Sequence, residues 1–193
     1  ARVRQAVPSA TVLVVDDGSD DATAREAATA GADVAALPYN LGIGGAVQTG
    51  LRYAVEQGYD LALQVDGDGQ HPPEEIPRLI AALDATGADV VIGSRFLGEG
   101  EYKASFARRM GIRLFAGVLS LLCGRRLTDT TSGFRCANRL AIEHLAEVYA
   151  CDYPEVESII SLHKAGFGIA ESPVRMVARA GGVSSIGPLR AAY

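Results

Sequence analysis

Short apolar runs alternate with stretches of helical periodicity through the first half of the chain. The β-branched run TVLVV at 11–15 predicts a buried strand, and a second is predicted at 33–37 around VAAL. LALQV at 61–65 and DVVI at 89–92 predict two more. Between them, the alanine-rich stretch 22–30 predicts a helix ended by Gly31, and 42–57 predicts another closed by Gly58. Residues 73–85 form an amphipathic helix pattern with Ile76, Leu79, Ile80 and Leu83 on one face. Glu74 and Glu75 fall in its first turn, where the helix dipole favours them, and Gly87 ends it.

The second half adds a long helix over 105–123. Its apolar stripe is Phe106, Met110, Leu114, Phe115, Val118, Leu119 and Leu122, and Arg108, Arg109 and Arg113 gather near its start. Such a stripe suits either core packing or a lipid-phosphate surface. Phe134 and Arg135 begin a short strand, and helices are predicted over 138–148 and from about 154 to Gly166. The last strand, 167–177, is interrupted by Pro173, which points to a sheet edge. Alternating strands and helices predict a mostly parallel sheet covered on both faces. Residues 1–7 read as the end of a helix broken by Pro8, so an earlier strand and helix are expected to precede this sequence.

Composition narrows the class. At 193 residues and 48% hydrophobic, the chain is a single domain with ample core. No apolar run is long enough to span a membrane as a helix. A net charge of -5 argues against a general nucleic-acid binder. Cys123, Cys136 and Cys151 are odd in number and widely spaced, which fits buried thiols in a reducing, cytoplasmic compartment.

Candidate chemistry centres on 61–73, LALQVDGDGQHPP. A strand that delivers Asp66 and Asp68 at its carboxyl end puts two carboxylates where open α/β sheets bind ligands. Two hard oxygen ligands with the Gln70 amide oxygen suit Mg²⁺ or Mn²⁺. The alternative is a polar loop whose aspartates cap the next helix. Asp16 and Asp17 offer acceptors to a base or ribose, or else cap a solvated turn in which Ser19 or Asp20 starts the helix. Gly42 to Ala46 is glycine-rich, but Val47 stands where a dinucleotide fingerprint needs a third glycine. Arg95 follows a strand and can meet a phosphate or a carboxylate of the 61–73 loop, or else form a plain surface salt bridge. The glycine-containing loop 97–103 is a candidate lid, and TDTTSGFR at 128–135 is too polar for core. Asp129 is a candidate base or metal neighbour, and Glu155 and Glu157 either cap their helix or face the site.

VVDDGSDD ending at Asp21, NLGIGGA at 40–46, DGDGQHPPEEI at 66–76, GSRF at 93–96 and DTTSGFR at 129–135 occur in this order. Together they resemble the family 2 glycosyltransferases of the GT-A fold, and within them the dolichyl- or polyprenyl-phosphate sugar transferases. The resemblance spans the whole chain. It implies a Rossmann-like α/β sheet with helices on both faces. Asp16 and Asp17 then contact the nucleoside, while Asp66 and Asp68, with Gln70, bind the divalent metal and the diphosphate. Arg95 lies near the phosphates, Asp129 on the acceptor side, and Arg179, Ser184 and Ser185 in a loop that covers the site. The family's first strand, with its Pro-x-x-Asn-Glu loop, is absent from this sequence. A sheet lacking that strand is therefore expected, with an open edge suited to strand exchange between two copies. Gly111, Ile112 and Arg113 stand where lipid-phosphate members often carry a serine after a basic residue.

The implied reaction moves a sugar, with inversion, from a GDP-mannose or UDP-glucose type donor to a polyprenyl phosphate. Arg109 would help bind that acceptor at the inner face of the membrane. A lipid phosphate is already anionic, whereas a hydroxyl acceptor would need Asp129 or Glu155 as base. Two alternatives remain at this level: a nucleotidyltransferase forming sugar nucleotides, and a non-catalytic sugar-nucleotide-binding domain.

Overall fold

The computed structural model describes residues 1–98, 106–149 and 153–177, with the side chains of 106–109 and 113 outside that description. A short helix α1 (Arg2–Ala6) leads to strand β1 (Leu13–Asp16), helix α2 (Thr23–Thr29) and strand β2 (Asp33–Ala36). Helix α3 (Gly42–Glu56) returns the chain to β3 (Leu61–Gln64). A 3₁₀ turn at Pro73–Glu75 opens α4 (Ile76–Thr86), followed by β4 (Val90–Ser94) and α5 (Phe106–Cys123). β5 (Arg135–Asn138), α6 (Arg139–Val148), α7 (Pro154–Lys164) and β6 (Ile169–Pro173) complete the order.

Among the described residues the strands form two sheets, where a single mostly parallel one was expected. β1 and β2 pair in parallel, and the other four lie in the order β3-β5-β4-β6. β5 runs antiparallel to both β3 and β4, whereas β6 is parallel to β4. Because Arg135 sits opposite both Gln64 and Ile92, β5 starts where β3 and β4 end. The polar loop leading into β5 is thereby delivered to the carboxyl ends of β3 and β4. Among the described residues β3 pairs only with β5, and β1 pairs only with β2. Helix α3 packs against β1, β3 and α6, so one helix serves both sheets. β6, with Pro173 at its end, is an edge strand as expected.

Two buried apolar clusters flank the four-stranded sheet. Val90, Ile92, Leu119, Ile142, Leu145, Ile159 and Leu162 belong to one, and Leu79, Leu83, Val91, Phe134 and Cys136 to the other. Alternation along β4 divides its side chains between them. Helix α6 begins at Asn138, whose side chain accepts from the Ala141 N–H at 3.0 Å. Gly87 ends α4 in the left-handed region at φ 62°. Neither Ser19 nor Asp20 caps α2; Asp21 does the local binding, accepting from the Thr23 N–H at 2.8 Å. Cys123 and Cys136 are free and buried, in line with the reading as small apolar side chains.

Candidate active site

β3 ends two residues before Asp66, and the loop after it is tightly tied to itself. The Gln70 N–H donates to Asp68 Oδ1 at 2.9 Å. The Asp66 N–H donates to His71 Nδ1 at 3.1 Å, while His71 Nε2 lies 3.8 Å from Asp66 Oδ2. His71 is buried and stacks on Phe134, with ring centroids 4.8 Å apart and planes at 11°. Burial pushes its pKa below the usual histidine range, against the opposing pull of Asp66 and Asp68, with Arg95 adding to the depression. Gly133 presses on the same carboxylate from the β5 side. A Cβ there would lie 2.9 Å from Asp66 Oδ1, 3.0 Å from Gln64 Nε2 and 3.1 Å from Asp66 Oδ2. The polar DTTSGFR stretch needs a glycine at that place because a carboxylate occupies the space.

The end of β4 supplies Ser94 and Arg95. Arg95 Nε donates to Asp129 Oδ2 and Nη2 to Asp129 Oδ1, each at 2.6 Å, and the Arg95 N–H reaches Oδ2 at 3.0 Å. Nη2 also donates to Thr131 Oγ1 at 2.7 Å. Asp129 is 0% exposed. A bidentate guanidinium–carboxylate pair of this kind is a strong, directional contact. Asp129, read as a candidate base or metal neighbour, thus has both carboxylate oxygens on the Arg95 guanidinium. Arg95 meets a carboxylate, but it is that of Asp129 and not one of the 61–73 stretch.

Residues that sequence reading passed over hold this arrangement. Glu171 on β6 accepts from the Thr128 N–H at 2.9 Å, the Thr128 hydroxyl at 2.8 Å and the Asp129 N–H at 2.7 Å. Arg135, 7% exposed, donates to the carbonyls of Ser132 and Glu155 and to Ser158 Oγ, joining the loop to the start of α7. Glu171 had no local sequence signal, because its partners lie about forty residues away along the chain. The arginine in the TSGFR run was the nearest clue.

The nucleoside candidates lie on β1 and the turn after it. Asp16 is buried and accepts from the Ser19 N–H at 3.0 Å, while Asp17 accepts from the Leu41 N–H at 2.6 Å. Both carboxylates thus order backbone: Asp16 its own turn, Asp17 the loop into α3. Glu155 is half-buried near Tyr149, and among the described residues no hydrogen bond or ion pair engages its carboxylate. The Arg109 side chain, residues 99–103 of the proposed lid, and Arg179, Ser184 and Ser185 lie outside the described residues. The Val177 N–H, two residues before Arg179, donates to the Gln70 carbonyl at 3.1 Å.

A divalent cation of the Mg²⁺ or Mn²⁺ kind takes hard oxygen donors. Among the described residues no three His, Cys, Asp or Glu side chains converge to enclose one. Asp66 and Asp68 present hard oxygens only, and the Asp66 side chain is 35% exposed. A partial, open set of this kind fits Mg²⁺ or Mn²⁺, which keep waters and take phosphate oxygens.

Residues 3–145 match Glycosyl transferase family 2. The chain belongs to that family. It is 36% identical, over 96% of its length and 79% of the relative's, to the undecaprenyl-phosphate mannosyltransferase of Micrococcus luteus. It is 34% identical, over 96% of its length and 73% of the relative's, to the polyprenol monophosphomannose synthase of Mycolicibacterium smegmatis. Among solved structures, the glucosyl-3-phosphoglycerate synthase of Mycobacterium tuberculosis, in complex with Mn²⁺ and UDP-glucose, superposes with a TM-score of 0.65 at 22% identity. That match covers 89% of this chain and 60% of the other. The family 2 chain is a glycosyltransferase with the GT-A architecture, here with an antiparallel strand carrying one wall of the site.

Proposed function

We propose that this family 2 glycosyltransferase moves a sugar, with inversion, from a nucleotide-diphosphate sugar to a polyprenyl phosphate. The observation that carries the acceptor is the likeness over 96% of the chain to two enzymes named for polyprenyl-phosphate mannosyl transfer. Because those names specify mannosyl transfer, a GDP-mannose type donor is the first to test, with UDP-glucose as the competitor beside it.

The residues divide the work. Asp66 and Asp68, with Gln70, would hold Mg²⁺ or Mn²⁺ at the end of β3. When bound, such a cation offsets negative charge on the departing nucleoside diphosphate. Asp129 fixes the Arg95 guanidinium in advance, so its charge is oriented before any diphosphate arrives. Asp16 and Asp17 shape the turn against which the nucleoside lies. The acceptor phosphate brings its own negative charge and needs no general base; for a hydroxyl acceptor, Glu155 is the open carboxylate. The path of Val177 past Gln70 supports Arg179, Ser184 and Ser185 as a cover for the diphosphate.

A peripheral seat on the membrane is supported by α5. Among the described residues no helix is long and apolar enough to cross a membrane. Yet Leu114, Val118, Leu121 and Leu122 are exposed on that helix, and Arg109 and Arg113 lie near its start. Among the described residues β1 and β3 each leave one edge unpaired, which supports pairing of two copies; sedimentation across a concentration series is the check.

The test of function is transfer from radiolabelled GDP-mannose and UDP-glucose to short-chain polyprenyl phosphate with Mg²⁺ or Mn²⁺. Labelled lipid is the expected product. Transfer to soluble saccharides with none to the lipid phosphate would overturn the acceptor.

A further inference from the structure

His71 belongs to none of the roles assigned so far, and its surroundings are unusual for a core histidine. The ring is 5% exposed and stacked on Phe134, itself 0% exposed. An aromatic hydrocarbon would satisfy that stack. The ring nitrogens, however, both address one residue. Nδ1 accepts the Asp66 N–H at 3.1 Å, which assigns the ring proton to Nε2, and Nε2 faces Asp66 Oδ2 at 3.8 Å. On its other side the Asp66 carboxylate abuts Gly133, where even a Cβ would intrude to 2.9 Å. The carboxylate therefore lies between a histidine that accepts from its own backbone N–H and a glycine whose missing side chain leaves it room.

We propose that His71 is a positioning residue: it fixes the backbone and carboxylate of Asp66 in the orientation that a divalent cation with its diphosphate requires. The proposal rests on the metal reading of Asp66 and Asp68 given above. Outer partners that orient a ligating carboxylate change metal affinity by about 10–100-fold when removed. A purely structural histidine would change stability instead, and the two roles rank a pair of substitutions in opposite orders. His71→Phe keeps the ring, the stack and the apolar volume but loses the acceptor for the Asp66 N–H. His71→Asn keeps an acceptor at the δ position but loses the ring that packs on Phe134.

The experiment measures Mn²⁺ affinity by electron paramagnetic resonance in the presence of inorganic pyrophosphate, which serves as a base-independent probe, together with the thermal midpoint of each protein. His71→Phe is expected to bind Mn²⁺ with pyrophosphate about tenfold more weakly while losing less of its melting temperature than His71→Asn. His71→Asn is expected to melt lower yet to bind more tightly than His71→Phe. Affinities that follow the order of the melting temperatures, or an unchanged affinity in His71→Phe, would overturn the role of His71 alone. Absence of Mn²⁺ binding in the unaltered protein would overturn the metal reading and this inference with it.

Discussion

Glu171 shows how much of the site depends on single side chains remote from it in sequence. Its carboxylate accepts from two backbone N–H groups and a hydroxyl, all in the loop that carries Asp129. Glutamine would turn an amide N–H₂ toward one of those donors, at a cost of about 1–3 kcal/mol for the group left unpaired. Glu171→Gln should therefore lower the urea midpoint and, through Asp129 and Arg95, the turnover; an unaltered midpoint would show that the loop is held by other contacts. Tyr149 gives a second residue-level expectation. Burial first, then the charges of Glu155 and Asp66 against the opposing pull of Arg135, pushes its phenol up to about 12. The folded state thus keeps the neutral phenol while the unfolded chain ionises near pH 10. That contribution is complete below pH 10 and is lost as pH rises toward 12, amounting to on the order of 2 kcal/mol. Thermal scans between pH 9 and 12 should fall less steeply for Tyr149→Phe than for the unaltered protein, and parallel curves would contradict the assignment. At this scale Asp66 and Asp68 were legible because strand, carboxylates and glycines are contiguous. Glu171, Arg135 and the engagement of Asp129 were not, since each is defined by a partner about twenty to forty residues away.

At the scale of elements, the helices were readable nearly to the residue because periodicity, Gly and Asn signals agree at their ends. The direction of β5 was not readable. A four-residue strand has the same pattern in either direction, and its orientation is set by where the 128–134 loop has to return. Helix α5 was anticipated as a wide apolar stripe, and it divides into two faces. Ile112, Ala116, Leu119 and Cys123 are buried, whereas Leu114 and Leu121 are 69% and 85% exposed. Replacing those two exposed leucines together with glutamate should leave the melting temperature within a degree or two, since neither packs in the core. The same double variant should lose most of its sedimentation with vesicles containing anionic lipid. Retained sedimentation would remove α5 as the membrane-facing element.

Taken whole, the molecule is unevenly built. No residue from 8 to 46 belongs to either buried apolar cluster, while β4, β5 and the helices around them supply both. The layer of β1, α2 and β2 carries Asp16 and Asp17 and rests chiefly on α3. Local opening follows buried contact. Amides of β1 and β2 should therefore exchange with deuterium well before those of β4 and β5, and uniform protection across both sheets would contradict this account.

The contact between Gly133 and Asp66 also determines how much sequence change the chain tolerates. Gly117 on α5 has open space where a Cβ would go, and alanine there would favour the helix by roughly 0.5–1 kcal/mol. Gly133 has a carboxylate in that place, and every other amino acid brings a carbon into it. A saturation library selected for activity should therefore accept alanine at Gly117 and return glycine alone at Gly133. Two residues of the same type, sixteen apart, would then differ completely in what variation they permit, and only the position of one neighbouring oxygen separates them.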